Sequence, residues 1–337
     1  MTGDVHADGL PGAGQDPPAR GAASPTRRRI WIDLLVYPTH SLPTAAAPVV
    51  IATAIAFRHH AAAWLTAVLC LLASWLVHIA GLFHDYYLLL ARYPDNSEHP
   101  ELVQAWREGR LTASGLRAAI IGSLALAALT GPYLMWVAGW PAVVFGAVGV
   151  AASLSYAGGP LAYARLGLAE IVFLLMFGLV AEVGAYYAQA AATLGDWRRA
   201  AATLPPEIWT MGLPVGALTV NILMIDDLRD RVPDAAKGWR TGAVRFGPGW
   251  ARVGCIVLAC LAYAAPFWFW QAYQLSAWIL LPLATLPIAV SIVRTLYTKT
   301  RLEDLAPMTA RSALLAFLYS ALLAVGIVVS PLRAHIP

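Results

Sequence analysis

Asp226 and Asp230 stand four residues apart at the end of a long apolar stretch, so on a helix that continues out of a membrane they share one face. Asp227 lies one position away. Pro233 predicts an end to that helix near Val232, after which Asp234 can turn back toward the other two. Carboxylates this close repel unless a cation lies between them, and hard oxygen ligands of this kind suit Mg²⁺ shared with a phosphate. Arg229, Arg231, Lys237, Arg240 and Arg245 are interleaved with the acids, a natural complement for diphosphate oxygens that no metal holds. A second acidic stretch reads His84-Asp85-Tyr86-Tyr87 and continues through Arg92, Asp95, Glu98, Glu101, Arg107, Glu108 and Arg110. Wet juxtamembrane loops are charged for no catalytic reason, but such charge should scatter over both faces, and these acids concentrate in two connections. Asn221, in the apolar helix ahead of Asp226, either belongs to this arrangement or bonds to a neighbouring helix. A weak echo joins the two stretches: Trp106-Arg107-Glu108-Gly109 follows the first and Trp239-Arg240-Thr241-Gly242 the second, which points to related halves.

The elements that must hold these groups are membrane helices. The 337 residues are 59% hydrophobic and 12% charged, half the charge of an ordinary soluble domain, and the mean hydropathy is +0.63. Stretches without Asp, Glu, Lys or Arg cover 34–57, 59–84, 118–164, 171–181 continuing past Glu182 to 195, 208–225, 253–293 and 312–332. A bilayer core takes roughly 20 apolar residues per helix, so the third and sixth are each two spans. Breaks are expected at Thr130-Gly131-Pro132 and between Gln271 and Gln274. The prediction is an all-α membrane protein of nine spans.

With the amino terminus cytoplasmic, only Arg58, Arg198, Arg199 and Arg333 of the 23 Lys and Arg residues fall outside. The net charge of +4 is then mostly topology, in what reads as a bacterial-type inner membrane, and a nucleic-acid partner has no support. Residues 1–29, rich in Gly, Pro, Ala and Asp and ending in Arg27-Arg28-Arg29, read as a disordered cytoplasmic tail rather than a signal peptide; residues 30–337 read as one transmembrane domain. Cys70, Cys255 and Cys260 form no CxxC, which excludes a disulfide framework or a zinc site.

Over roughly residues 31–330 the chain resembles the UbiA superfamily of intramembrane prenyltransferases, and within it the 1,4-dihydroxy-2-naphthoate polyprenyltransferase branch. Asn221, Asp226, Asp230-Arg231, Asp234, Lys237-Gly238 and Thr241 match the family's second motif, an Asn, a DxxxD and a DR-x-x-x-GK-x-T-type segment. Tyr156-Ala157-Gly158-Gly159-Pro160 and Gly167-Leu168-Ala169-Glu170 resemble the loop and helix start of the naphthoate branch. The first motif departs from the pattern: Asp85 is in register, but His84 stands where Asn is expected and Leu88 and Arg92 stand where Asp is expected.

The resemblance implies a helical bundle around a central cavity, with two acidic cytoplasmic loops, in which a prenyl group passes from a polyprenyl diphosphate to a small aromatic acceptor in quinone biosynthesis. It implies Mg²⁺ as cofactor, held by Asp226, Asp230 and Asp234 and opposed by Asp85 and Asp95. Lys237, Arg231, Arg107, Arg165 and Asn221 are the implied diphosphate ligands. Tyr156 and Glu170 are the implied acceptor-side residues, Glu170 either taking a hydroxyl proton or capping its helix. Glu182, costly in lipid, should face the bundle interior or a wet cavity. Two other readings fit the same groups: a membrane terpene cyclase of the same superfamily, and a non-catalytic isoprenoid-diphosphate binder.

Overall fold

The computed structural model describes residues 31, 41–93, 99–299 and 302–330, among which every regular element is helical. The expected tail, 1–29, lies outside the described residues. The elements that matter for the site are α1 (Ser41–Arg58), α2 (Trp64–Arg92), α3 (Pro100–Arg107), α4 (Ala113–Ala138), α5 (Trp140–Leu154), α6 (Ala169–Leu194), α7 (Pro206–Arg229), α8 (Arg231–Ala236), α9 (Pro248–Ala272), α10 (Ala277–Thr298) and α11 (Leu302–Val328). Seven of these, α2, α4, α6, α7, α9, α10 and α11, are long and apolar enough to cross a membrane. α1 and α5 are apolar but shorter, and stand where the first and fourth spans are expected.

α7 is the hub. It packs against α6, α9 and α11, and almost all of its side chains are buried. Two glycines bring α6 and α7 into backbone contact: a Cβ on Gly216 would fall 2.7 Å from the Gly178 Cα. Gly178 lies within a π-helical turn, Met176–Val180, that interrupts α6 at the level of the cavity described below. Around this hub α2 pairs with α4, and α1 packs against α11 and α6. With no water in the hydrocarbon to satisfy them, buried hydroxyls bond across helices: Thr66 with Tyr133 at 3.0 Å, Tyr187 to the Ala138 carbonyl at 2.7 Å, and Tyr263 with Thr285 at 2.6 Å.

Two expected helix ends are displaced, both at prolines. At the expected break α4 is only stepped: Ala113–Ala128 ends there, a turn at Leu129-Thr130 follows, and a second segment, Gly131–Ala138, takes the proline in its first turn with no bond left unmade. The break between α4 and α5 falls instead at Gly139, whose φ is +67°. Similarly, α7 stops at Arg229 rather than near Val232, and Pro233 sits in the first turn of α8. The step at Asp230 is slight: its N–H bonds to the Asp226 carbonyl and the Asp234 N–H to the Asp230 carbonyl, both at 2.8 Å, so the four-residue spacing carries across the junction. The break expected between Gln271 and Gln274 is present, with α9 ending at Ala272.

Gly139 offers a direct test of the α4–α5 turn. An added Cβ would meet the Trp197 ring at 2.8 Å in a backbone conformation that disfavours side chains. Gly139→Ala should therefore cost about 1–3 kcal/mol, read as a lowered Tm in detergent; an unchanged Tm would refute this account of the turn.

Candidate active site

A cavity of about 940 Å³ lies between α2, α5, α6, α7 and the start of α11. Its charged end gathers residues from two segments far apart in sequence: Asp85 from α2, and the continuous run of Asp226, Asp227, Arg229 and Asp230 from α7 and its end with Asp234, Lys237 and Trp239 from α8 and the turn after it. The carboxylates belong to the last turns of α2 and α7 and to α8 rather than to loops. The other end is apolar, walled by Cys70, Leu134, Ala142, Phe145 and Ala188. Cys70 precedes Asp85 by fifteen residues on one helix, which makes the chamber about 22 Å long at 1.5 Å per residue.

Helical periodicity aims the acids. Thr219, Ile222, Leu223, Asp226 and Asp230 recur at three- and four-residue steps and line the cavity together. Asp226 accepts from Thr309 Oγ1 on α11 at 2.6 Å, and Arg229 Nη1 lies 2.6 Å from the same carboxylate. Arg229 also grips Asp230 in a two-point bond, Nε to Oδ1 at 2.8 Å and Nη2 to Oδ2 at 2.5 Å. Lys237 Nζ pairs with Asp234 Oδ1 at 2.9 Å and stands 4.3 Å from the centre of the Trp239 ring. Trp239 Nε1 is buried in this wall with no hydrogen-bond partner among the described residues, an orphan donor of the kind a phosphate oxygen satisfies.

Among the described residues no three acids or histidines stand close enough to cage an ion by themselves. The donor set nonetheless fits Mg²⁺ in its commonest mode, in which one or two carboxylates hold an ion that keeps its waters and shares phosphate oxygens. Asp226, Asp230, Asp234 and Asp85 are the residues placed to do so.

Opposite α7, Tyr156 contributes an aromatic wall, packed edge-on to Tyr163 with centroids 5.6 Å apart and tilted on Phe173 at 5.7 Å. Burial, reinforced by Asp85, Asp227 and Asp226, pushes the Tyr156 phenol well above its ordinary pKa. It is a neutral ring with an O–H donor, not a base. Burial and Asp85 push Tyr163 the same way. His99, just ahead of α3, also lines the charged end and meets Tyr86 edge-on at 5.6 Å. Desolvation lowers its pKa, and of the charges around it Asp230 and Asp226 oppose the fall while Arg229 and Lys237 add to it.

Asp85, Asp226, Asp230, Asp234, Lys237 and Tyr156 thus meet in one place, while Asp95 lies outside the described residues. Four expected ligands and the acceptor-side Glu170 do not line the cavity. Asn221 precedes Asp226 by five residues, about 140° round the helix, so its Nδ2 donates to the Cys255 carbonyl of α9 at 3.2 Å. Arg107 is exposed at the end of α3, which buries Val103 and Ala105 instead. Arg165 is half-buried on the short helix Tyr163–Leu166, its carbonyl accepting the Arg240 N–H at 3.1 Å. Arg231 is half-buried one position past Asp230 and off the cavity face. Glu170 is turned toward Gly242 and the Trp250 indole, as a group at the amino end of α6, away from the acceptor wall. Glu182 is fully buried but off the cavity, its carboxylate against Gly212.

The residues to which sequence reasoning gave no place in the site are His99, Trp239 and Thr309; Asp227 and Arg229 were named beside the acids but not among the implied ligands. Asp227 and Arg229 carried a signal in their place beside Asp226. Thr309, 83 residues away, carried none.

Residues 104–321 match the model of the UbiA prenyltransferase family. A Mycobacterium tuberculosis protein named 1,4-dihydroxy-2-naphthoate octaprenyltransferase is 31% identical over 251 residues, 74% of this chain and 80% of that one. Among solved structures, a UbiA homolog from Aeropyrum pernix superposes with a TM-score of 0.64 at 16% identity, over 85% of this chain and 98% of its own. A UbiA homolog from Archaeoglobus fulgidus bound to DMAPP and Mg²⁺ superposes with a TM-score of 0.50 at 17% identity, over 87% and 99%.

Proposed function

The chain belongs to the UbiA prenyltransferase family, and from that premise we propose that this integral membrane prenyltransferase uses Mg²⁺ to transfer a prenyl group from a polyprenyl diphosphate to a dihydroxynaphthoate-like acceptor in quinone biosynthesis. One observation carries the reading: five aspartates and Lys237 converge on one end of a chamber whose remaining wall is apolar and aromatic. The M. tuberculosis relative's name supports the acceptor class, and the A. fulgidus homolog's ligands support the donor and the ion.

In the proposed reaction the allylic C–O bond breaks with its electron pair going to the diphosphate, an aromatic carbon of the acceptor bonds to the allylic carbon, and that carbon then releases the group it carried, a proton taken up by the departing diphosphate or a carboxylate lost as CO2, to restore the aromatic ring. Bound Mg²⁺ would offset the charge growing on the leaving oxygen. Lys237 and the Trp239 N–H supply positive charge and a hydrogen bond at that end. The apolar wall takes the prenyl tail and keeps water from the allylic cation. Tyr156, Tyr163 and Phe173 give a flat acceptor aromatic faces to stack on. Glu170 does not line the cavity and is given no step in this reaction.

We further place the protein in a bacterial-type inner membrane with nine spans, counting α1 and α5, a cytoplasmic amino terminus and a tail at 1–29. The test is direct. Purified protein with Mg²⁺ and a polyprenyl diphosphate should form prenylated product only when a dihydroxynaphthoate is added, and chelation by EDTA should abolish it. Hydrocarbon formed without acceptor would instead identify a cyclase, and intact diphosphate a binder.

A further inference from the structure

A seam stitches the acid-bearing half of α2 to the end of α5 and the loop that follows. Ser153 Oγ donates to the Val77 carbonyl at 2.9 Å, and Gly81 makes room for it: a Cβ there would lie 2.0 Å from that oxygen. One turn on, His84 donates to the Leu154 carbonyl. Gly158 presses on the same ring, where a Cβ would come within 2.4 Å of His84 Cε1 and 2.9 Å of Leu88 Cδ1. Val77 and Gly81 line the cavity with His78 and Asp85, whereas His84 and Leu88, further along α2, do not. The loop itself is closed by two further bonds, Tyr163 N–H to the Ser155 carbonyl at 3.1 Å and Ala164 N–H to the Tyr156 carbonyl at 3.0 Å. Tyr156 is therefore carried on a short closed loop whose attachment to the helix that bears Asp85 runs through His84 on both sides of it, at Leu154 and at Gly158.

We propose that His84 is a positioning residue for the aromatic acceptor: its clasp on Leu154 and Gly158 fixes where the Tyr156 ring stands relative to Asp85. The inference rests on the prenyl-transfer reading above and adds a residue that lines no part of the cavity. It also predicts which substrate feels the loss. The clasped loop brings aromatic rings to the site, whereas the charged groups opposite come from α7, α8 and the turn after them, so loosening the loop disturbs acceptor stacking and leaves the diphosphate end in place. His84→Leu removes the donor at similar volume, and His84→Gln retains one that can reach the Leu154 carbonyl.

In detergent, His84→Leu should raise the acceptor KM about tenfold, the scale of one lost hydrogen bond, with kcat and the diphosphate KM within about twofold of wild type. His84→Gln should recover most of that loss. Gly158→Ala, which forces the ring aside, should act in the same direction as His84→Leu. Without any substrate, hydrogen exchange over residues 155–164 should quicken in His84→Leu. An unchanged acceptor KM, or equal rises in both KM values with a lowered Tm, would overturn the proposal. If wild type prenylates no naphthoate, the functional reading fails by itself, and the exchange measurement still decides the clasp: faster exchange supports it and unchanged exchange overturns it.

Discussion

Asp230→Ala is expected to lower kcat by on the order of a thousandfold while the protein stays folded. Asp230 sits at the step between α7 and α8, where its side chain reaches the cavity and only its backbone takes part in the helical ladder. The substitution keeps the N–H bond to Asp226 and removes a carboxylate from the middle of the Asp226–Asp230–Asp234 series. Arg229 then loses its two-point partner and retains its contact with Asp226 and its bond to Thr309. The charge balance shifts by one unit toward positive where the acids must outweigh the bases to recruit a divalent ion. Binding of Mn²⁺ in the presence of a non-hydrolysable prenyl diphosphate should weaken in parallel with turnover, and Tm should move little. Near-wild-type turnover would remove Asp230 from the site.

The acids were legible from sequence because two independent regularities point at them. Charge is scarce in a chain built for lipid, so each carboxylate near a span stands out, and the helical period says which of them share a face. The same period explains the failures. Asn221 is close to Asp226 along the chain but about 140° away around the axis, and it answers to α9 instead. Arg107, Arg165 and Arg231 lie beside acidic motifs, but interleaved sequence does not say which side of a turn a long side chain takes. The α4–α5 break was expected at Pro132, which instead starts a second segment of α4 after a short turn, whereas the chain leaves α4 at Gly139, a positive-φ glycine beneath Trp197 whose signal, Pro141 two residues on, was not weighed. Thr309 reaches the site from a segment outside both acidic stretches, and His99, though it lies between Glu98 and Glu101, is not itself a carboxylate. Departures of the first motif at His84 and Leu88 look like lost ligands on paper. In three dimensions those two side chains lie against Gly158.

The opposite substrate should register the loss of Lys237. Its ammonium and the Asp234 carboxylate are both nearly buried, 2.9 Å apart, and the cation rests against the Trp239 ring. Lys237→Met keeps the stem packed on that ring and removes the charge. Removing one partner from a buried pair typically costs about 2–5 kcal/mol, here divided between a weakened diphosphate site and a destabilised Asp234. We expect kcat/KM for the diphosphate to fall by roughly 10²–10³-fold, with the acceptor KM within about twofold of wild type. Lys237→Arg should recover the charge but only part of the rate, since a planar fork does not replace a compact ammonium stacked on an indole. The two sides of the cavity can then be tested against each other. Lys237 lies beyond α8 and His84 on α2 facing the Tyr156 loop, so if they serve different substrates their effects should add within about 0.5 kcal/mol in the double variant. Strong coupling would mean that the clasp also shapes the diphosphate end, and the division of the chamber into an anionic donor side and an aromatic acceptor side would have to be redrawn.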